Sequence, residues 1–299
     1  MNGKYKAFWL DENEYVVVID QTKLPFVYET ITLKTANDAI IAIKDMIVRG
    51  AGVIGNIAAF GVYLAVKENS DMDYIKIKAQ EIRESRPTAV NLMWAVDIMM
   101  DTLENSSDDL LQSALKEAIS ISDGDCERSA LIGKYGCDKF EEIMKQNGKT
   151  SINVLTHCNA GWLAIVDDGS ALAPIYEAQR RGIDIHVWVD ETRPRNQGAN
   201  LTAWELGKSN IEHTVIPDNT GGYLMQQGLI DVCIVGADRV SAQGDVANKI
   251  GTYLKALAAH DNNIPFYVAI PEGTLDFDII DGVKDIPIET RSEDEVKYM

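Results

Sequence analysis

Residues 229–253 read LIDVCIVGADRVSAQGDVANKIGTY, from Leu229 to Tyr253. The run Val232-Cys233-Ile234-Val235 is apolar, mostly β-branched, and of the length of a buried parallel strand. It ends in Gly236-Ala237-Asp238-Arg239, which sets a carboxylate and a guanidinium at the strand's carboxyl end. In open α/β sheets that edge is where ligands bind. A polar turn follows from Ser241 to Asp245, and Ala247 to Tyr253 then reads as the entry to a helix through Ala256-Leu257-Ala258. Backbone N–H groups at a helix start, joined by the Asn248 amide and the Lys249 ammonium, form a cradle for phosphate.

Outward from this stretch, strands and helices alternate. From Ser151 the pattern gives strand 153–155, helix 169–181, strand 185–189, helix 200–208, strand 213–216, helix 221–227, strand 232–235, helix 248–260 and strand 266–270. Such alternation implies a parallel sheet with right-handed crossovers. Before it, residues 74–144 are helical throughout, with helices expected over 74–84, 88–103, 107–121 and 125–144. Pro87 suits a first helical turn. A further helix is expected over 35–48, with Thr35 or Asn37 as its cap. Two β-prone runs, 5–10 and 15–20, flank the polar turn Asp11-Glu12-Asn13-Glu14 and signal a hairpin. The break at Gln146-Asn147-Gly148-Lys149 sets the expected boundary: residues 1–148 as a mainly helical domain with a β-hairpin, and 149–299 as the α/β domain.

Composition excludes several partners. A net charge of −18 leaves no basic field to collect a nucleic-acid backbone or an anionic membrane. An anionic small substrate then requires a locally basic pocket. Cys126, Cys137, Cys158 and Cys233 show no paired spacing, which suggests a reducing compartment. The opening residues MNGKYKAFWLDENEY have no apolar core after their lysines, so no secretory leader is expected there and a cytoplasmic setting is. The most apolar stretch, 50–66, is glycine-rich, interrupted by Asn56 and short for a membrane span, and reads as a buried helix.

Gly50 to Gly55 satisfies G-x-G-x-x-G, but a dinucleotide site needs a preceding strand and an acidic ribose ligand on the next one. Here the preceding segment is helical, so the glycines read better as places of close backbone approach. Cys158, in Thr156-His157-Cys158-Asn159, follows a strand and stands beside a possible helix start, where a thiolate would be stabilised. A lone cysteine is otherwise a small buried hydrophobe. His157 is adjacent in sequence but points the opposite way along an extended chain, so no Cys–His dyad is assumed. Asp238 is a helix cap or turn former unless it is buried beside Cys158, where the two could divide acid and base duty. Arg49, Arg86, Arg193, Gln197 and Lys249 all lie next to glycine- or proline-bearing turns and look like a phosphate clamp. Trp94, Trp188 and Trp204 read as core. The four histidines lack metal spacing, and no metal site is expected.

Six ordered motifs carry a resemblance. They are Arg49-Gly50-Ala51, Arg86-Pro87-Thr88-Ala89-Val90-Asn91-Leu92, Thr156-His157-Cys158-Asn159, Glu191-Thr192-Arg193-Pro194 with Gln197-Gly198, Gly236-Ala237-Asp238-Arg239, and Asn248-Lys249-Ile250-Gly251-Thr252. Together they resemble the methylthioribose-1-phosphate isomerase family, which is related to the ribose-1,5-bisphosphate isomerases and to the regulatory subunits of translation initiation factor 2B. The resemblance implies a Rossmann-like parallel sheet with a smaller helical amino-terminal domain, a homodimer, and no metal or nucleotide cofactor. It implies Cys158 and Asp238 as the catalytic pair. It also implies that Arg49, Gly50, Ala51, Arg86, Gln197, Asn248 and Lys249 hold the substrate's phosphate and hydroxyls.

The implied reaction converts a 5-substituted ribose 1-phosphate, foremost 5-methylthioribose 1-phosphate, to the ribulose 1-phosphate in methionine salvage. 5-Deoxyribose 1-phosphate and ribose 1,5-bisphosphate are alternative substrates, and a non-catalytic regulatory subunit is an alternative role. The chain departs from the family pattern at Gly52-Val53, where Pro-Ala is usual, and at Gln243, where Asn usually precedes Gly244. The family also normally continues past Ile286-Pro287-Ile288-Glu289 through an Asn-Pro-Ala-Phe-Asp stretch that is not found here.

Overall fold

The structure, a computed structural model, describes residues 5–86, 89–106, 109–288 and 290–298. The chain divides into two compact units, Met1–Arg128 with Leu163–Asp167, and Ser129–Trp162 with Asp168–Met299.

In the first unit, β1 (Phe8–Leu10) and β2 (Val16–Ile19) form the expected hairpin, with Trp9 opposite Val17. A third strand, β3 (Thr30–Leu33), pairs antiparallel with β2 and was not anticipated. The helices are α1 (Ala36–Lys44), α2 (Ala51–Glu68), α3 (Met72–Ser85) and α4 (Val90–Glu104). Thr35 starts α1 through a capping box with Asp38, so two backbone donors at the helix start are satisfied. Although α2 is long and apolar enough to span a bilayer, 83% of it is buried inside the fold, as in a core helix. Its residues Ile57, Phe60 and Leu64 join Val16, Val18, Ile43, Ile82, Leu92 and Met99 in one apolar cluster. The expected placement of Pro87 and Thr88 in a first helical turn, and of Ser107 at a helix start, lies outside the described residues.

The G-x-G-x-x-G segment is not a nucleotide loop. The element directly before it is α1 rather than a strand, and α2 begins at Ala51, inside the motif. Gly50 adopts φ +104°, and a Cβ there would stand 2.4 Å from the Ala164 Cα, so close backbone approach is what demands this glycine.

The helices expected over 107–121 and 125–144 are one helix, α5 (Leu110–Asn147). Ser122-Asp123-Gly124-Asp125 does not break it, because one internal glycine costs only about 1 kcal/mol and no proline is present. Buried positions recur through the segment at Ala118, Ile121, Asp125, Ser129, Cys137 and Phe140. The division between the two units falls inside this helix. It ends at Gly148, which takes φ +64°.

The second unit holds β4 (Ser151–Thr156), α6 (Ala173–Arg180), β5 (Asp184–Asp190), a π-helical turn (Gly198–Thr202) running into α7 (Ala203–Lys208), β6 (His213–Ile216), α8 (Thr220–Gln226) and β7 (Val232–Val235). Then come β8 (Arg239–Ser241), β9 (Val246–Ala247), α9 (Thr252–Asp261), β10 (Phe266–Val268) and β11 (Leu275–Asp276). Five strands form a parallel sheet in the order β10-β7-β4-β5-β6. The chain winds outward from β4 through β5 to β6, then returns to the other side of β4 with β7. The reversal therefore falls between β4 and β7, and the crevice outside their carboxyl ends is where a sheet of this kind takes a ligand. The polar turn expected over Ser241 to Asp245 joins β8 to β9, which with β11 make a further three-stranded sheet in the order β11-β8-β9.

The tryptophans correct one expectation. Trp94 is 40% exposed, and Trp188 and Trp204 are only half-buried, whereas Trp162 is fully buried.

Candidate active site

Cys158 and Asp238 leave the carboxyl ends of the two strands at the reversal. β4 and β7 are paired through Val154 with Val232 and Leu155 with Cys233, so both loops emerge at the same edge of the sheet. The loops touch: a Cβ on Gly236 would lie 2.8 Å from the Ala160 Cβ.

Cys158 is half-buried and takes φ +69°, a left-handed conformation that a non-glycine residue holds only when fixed from outside. Its N–H donates to Thr192 Oγ1 at 2.8 Å, and its carbonyl accepts from Thr202 Oγ1 at 2.7 Å. Thr202 closes the π-helical turn, an element that recurs at functional sites. The helix start expected beside Cys158 is absent. Bends and turns connect it to α6, which begins only at Ala173. The neighbouring Asn159 Nδ2 donates to Thr202 Oγ1 at 3.2 Å and to Glu205 Oε1 at 2.8 Å. Glu205 is buried, and its Oε2 also accepts from the Trp162 N–H and the Tyr176 hydroxyl, both at 2.9 Å.

Asp238 opens the small sheet. Its N–H donates to the Ala247 carbonyl at 2.9 Å, and Arg239 is paired with Ala247 in the antiparallel ribbon of β8 and β9. Asn248 directly follows Ala247 at the end of β9, so the ribbon brings Asp238 and the Asn248 turn to one end. Its carboxyl is exposed, not buried beside the thiol, because the ribbon extends beyond the sheet edge. Asn248 Nδ2 donates to Thr252 Oγ1 at 3.0 Å, and the Thr252 hydroxyl donates to the Lys249 carbonyl at 2.8 Å. The helix expected from Asn248 begins instead at Thr252, with Gly251 as its cap at φ +106°. The second unit thus gathers Cys158, Asp238, Asn248 and Lys249 at one sheet edge. Gln197, at the start of the π-helical turn, is buried, and no donor among the described residues reaches its Oε1.

The other four expected residues lie in the first unit. Arg49, Gly50 and Ala51 form the entry to α2, and Arg49 Nη2 donates to the Gln21 carbonyl at 3.3 Å. Arg86 ends α3.

A network beneath Cys158 was missed in the sequence. His157 is fully buried, with Nδ1 2.7 Å from Asp190 Oδ2 and 3.9 Å from Asp218 Oδ1. Asp190 also meets Lys255 Nζ at 3.0 Å. Burial pushes the Asp190 carboxyl above its ordinary range, against the opposite pull of His157 and Lys255. His157, Asp190 and Asp218 offer ligand atoms within 4.8 Å of one another, a spacing open to a metal. Asp218 accepts the N–H groups of Thr192 and Arg193 at 2.7 Å each, and Asp190 Oδ2 meets the Lys255 ammonium, while Asp190 Oδ1 is buried with no hydrogen-bond donor among the described residues. Asp190 and Lys255 give no periodic signal in sequence. Only the strand end at Asp190 marks the place.

Residues 47–299 match the initiation factor 2 subunit family. The chain belongs to that family. Among its relatives, the methylthioribose-1-phosphate isomerase of Sulfurimonas denitrificans is 63% identical, with 100% of this chain and 84% of that protein covered. The protein of the same name from Desulfatibacillum aliphaticivorans is 54% identical over 99% of this chain and 83% of its own. Among solved structures, 5-methylthioribose 1-phosphate isomerase from Pyrococcus horikoshii OT3 superposes with a TM-score of 0.87 at 35% identity, covering 99% of this chain and 85% of that one. Translation initiation factor eIF-2B subunit delta from A. fulgidus superposes at 0.84 with 37% identity, covering 98% and 85%. The resemblance read from the motifs and the α/β architecture are both borne out by these matches.

Proposed function

We propose that this chain is an aldose–ketose isomerase converting 5-methylthioribose 1-phosphate to the corresponding ribulose 1-phosphate in methionine salvage. What carries the reading is the 63% identity, over the whole chain, to an isomerase of that name. The geometry agrees with it. A thiol, a carboxyl, an amide and an ammonium share the crevice at the sheet's switch point, the place this topology reserves for a small ligand.

In an aldose 1-phosphate the anomeric oxygen is blocked, so hemiacetal opening requires an acid at the ring oxygen. A base must then move the C2 proton to C1. Asp238 is assigned as the acid and Cys158 as the group that shuttles the proton or stabilises the enol-like transition state. Asp238 is exposed in the free chain, and the bound sugar phosphate covers it. Asn248 and Lys249 are assigned to the substrate's phosphate and hydroxyls, and the family resemblance assigns Arg49, Gly50, Ala51 and Arg86 to them as well. Gln197 Oε1, left without a donor, accepts a sugar hydroxyl. A purely regulatory subunit has no evident need of the thiol–carboxyl pair, which favours the enzyme over that alternative.

The chain acts as a cytoplasmic homodimer in this reading. Support for self-association comes from the apolar surface of Ile250, Tyr253, Leu254 and Leu257, which stays exposed in the single chain.

The test is a panel of 5-methylthio-, 5-deoxy- and 5-phosphoribose 1-phosphates with product analysis. The expected result is ketose formation, fastest with the 5-methylthio compound. Preference for another member reassigns the substrate, and conversion of none of them removes the isomerase reading.

A further inference from the structure

His157 lies between the two halves of the crevice, with no side-chain exposure. Its Nδ1 is 2.7 Å from Asp190 Oδ2, and its Nε2 is 2.8 Å from the Ile250 carbonyl oxygen. A backbone carbonyl only accepts hydrogen bonds. Nε2 therefore donates to Ile250. Asp190 Oδ2 also meets the Lys255 ammonium at 3.0 Å, so the Nδ1 side of the ring is held in a buried network of polar side chains.

The second arm of the ring reaches the substrate turn. Ile250 directly follows Asn248 and Lys249, and Gly251 caps α9 in the left-handed conformation. A Cβ at Gly251 would lie 2.8 Å from His157 Cε1 and 2.9 Å from Nε2, so the ring occupies the space that glycine leaves open. On its other side, His157 directly precedes Cys158.

We propose that His157 is a positioning residue: a buried imidazole that clamps the Asn248-Lys249-Ile250 turn to the carboxyl end of β5 and fixes its placement relative to Cys158. The kinetic part of the test rests on the isomerase reading, and the spectroscopic part does not. In the full chain labelled with ¹⁵N-histidine, long-range ¹H–¹⁵N spectra at neutral pH report the protonation of each ring nitrogen. His157 is recognised by its proton contacts to Gly251. A protonated Nε2 is expected, and a ring with its Nε2 unprotonated overturns the proposal without recourse to any variant.

The two arms are separated by substitution. In His157→Asn the amide nitrogen stands near the Nδ1 position and keeps the Asp190 bond but loses Ile250. In His157→Gln the amide reaches the Nε2 position and keeps Ile250. With 5-methylthioribose 1-phosphate as substrate, KM is expected to rise roughly fivefold or more in His157→Asn, the scale of one buried hydrogen bond, with a smaller change in kcat. His157→Gln is expected to stay within about threefold of the wild-type KM, because it restores the bond to the turn. Equal KM values in the two variants overturn the clamp. If the wild type converts no pentose 1-phosphate, the isomerase reading fails and the spectrum still decides the state of the ring.

Discussion

The Thr192 hydroxyl accepts the Cys158 N–H at 2.8 Å and donates to the Asp190 carbonyl at 3.0 Å, so one oxygen joins the loops that follow β4 and β5. Thr192 and Cys158 both take φ +69°, an arrangement stable only while such cross-links hold it. Thr192→Val keeps the shape and removes both bonds. Urea unfolding is expected to show a loss of about 1–3 kcal/mol, and isomerase turnover is expected to fall by roughly tenfold as the thiol shifts. Unchanged stability and rate would mean that the hydroxyl is idle.

Glu205 gives a second handle on the same loop. Its carboxylate accepts from Asn159, the Trp162 N–H and the Tyr176 hydroxyl. Burial, reinforced by Glu205, raises the Tyr176 hydroxyl well above its ordinary range and keeps it a donor at every physiological pH. Glu205→Gln turns one acceptor into a donor that faces donors. The expected cost is about 1–3 kcal/mol, read as a lower thermal midpoint, and Glu205→Asp should not restore it because the shorter arm misses Asn159. A midpoint equal to that of the wild type contradicts this role.

The thiols should sort by environment. Burial pushes Cys137 up to about 11 and Cys233 up to about 12, so both stay protonated and inert at neutral pH. Cys158 is half-buried at the crevice. Brief treatment of the native chain with iodoacetamide, followed by peptide mass analysis, should modify Cys158 while sparing Cys137 and Cys233. Substrate should protect Cys158. Preferential labelling of either buried thiol would be the contrary result.

Much of the sheet was legible because its strands are short β-branched runs with clear ends. His213–Ile216 and Val232–Val235 coincide with β6 and β7, and their alternation with helices pointed to the parallel sheet whose order reverses between β4 and β7. Three things were not legible. The sequence 122–125 looks like a break, yet α5 runs through it, because turn-prone residues do not end a helix that has a continuous buried stripe. The strands β8, β9 and β11 have only two or three residues each, too few to show a period of two. Asp238 directly precedes the ribbon of β8 and β9, and its carboxyl is exposed rather than buried beside Cys158. The His157 network joins residues 33 and 93 positions apart, and no local pattern records such a meeting.

Near the carboxyl terminus, Glu295 accepts from Arg195 and Arg291 at 2.6 Å each, and the bond from Arg195 leads the forces that lower its carboxyl to about 2. A lowered carboxylate stabilises the fold above the ordinary glutamate range, and that contribution fades as pH falls toward the folded value. Carboxyl ¹³C titration should place Glu295 well below ordinary glutamates in the wild type and move it upward in Arg195→Gln. A normal value in the wild type would show that the contact is not kept in solution.

The exposed face of α9 tests self-association. Tyr253 is 73% and Leu254 67% exposed in the single chain. If this face joins two copies, Leu254→Glu should halve the mass seen by light scattering at micromolar concentration while leaving the circular dichroism unchanged. An unaltered dimer would place the contact elsewhere, and a monomeric wild type would remove it.

The most direct measurement of the central claim is the conversion of 5-methylthioribose 1-phosphate by the wild type beside Cys158→Ser and Asp238→Asn, with substrate binding measured in parallel. The expected result is ketose formation by the wild type, with kcat lower by about a hundredfold or more in each variant while binding is retained. Wild-type turnover that survives undiminished in both variants would contradict the claim that this thiol and this carboxyl carry the chemistry.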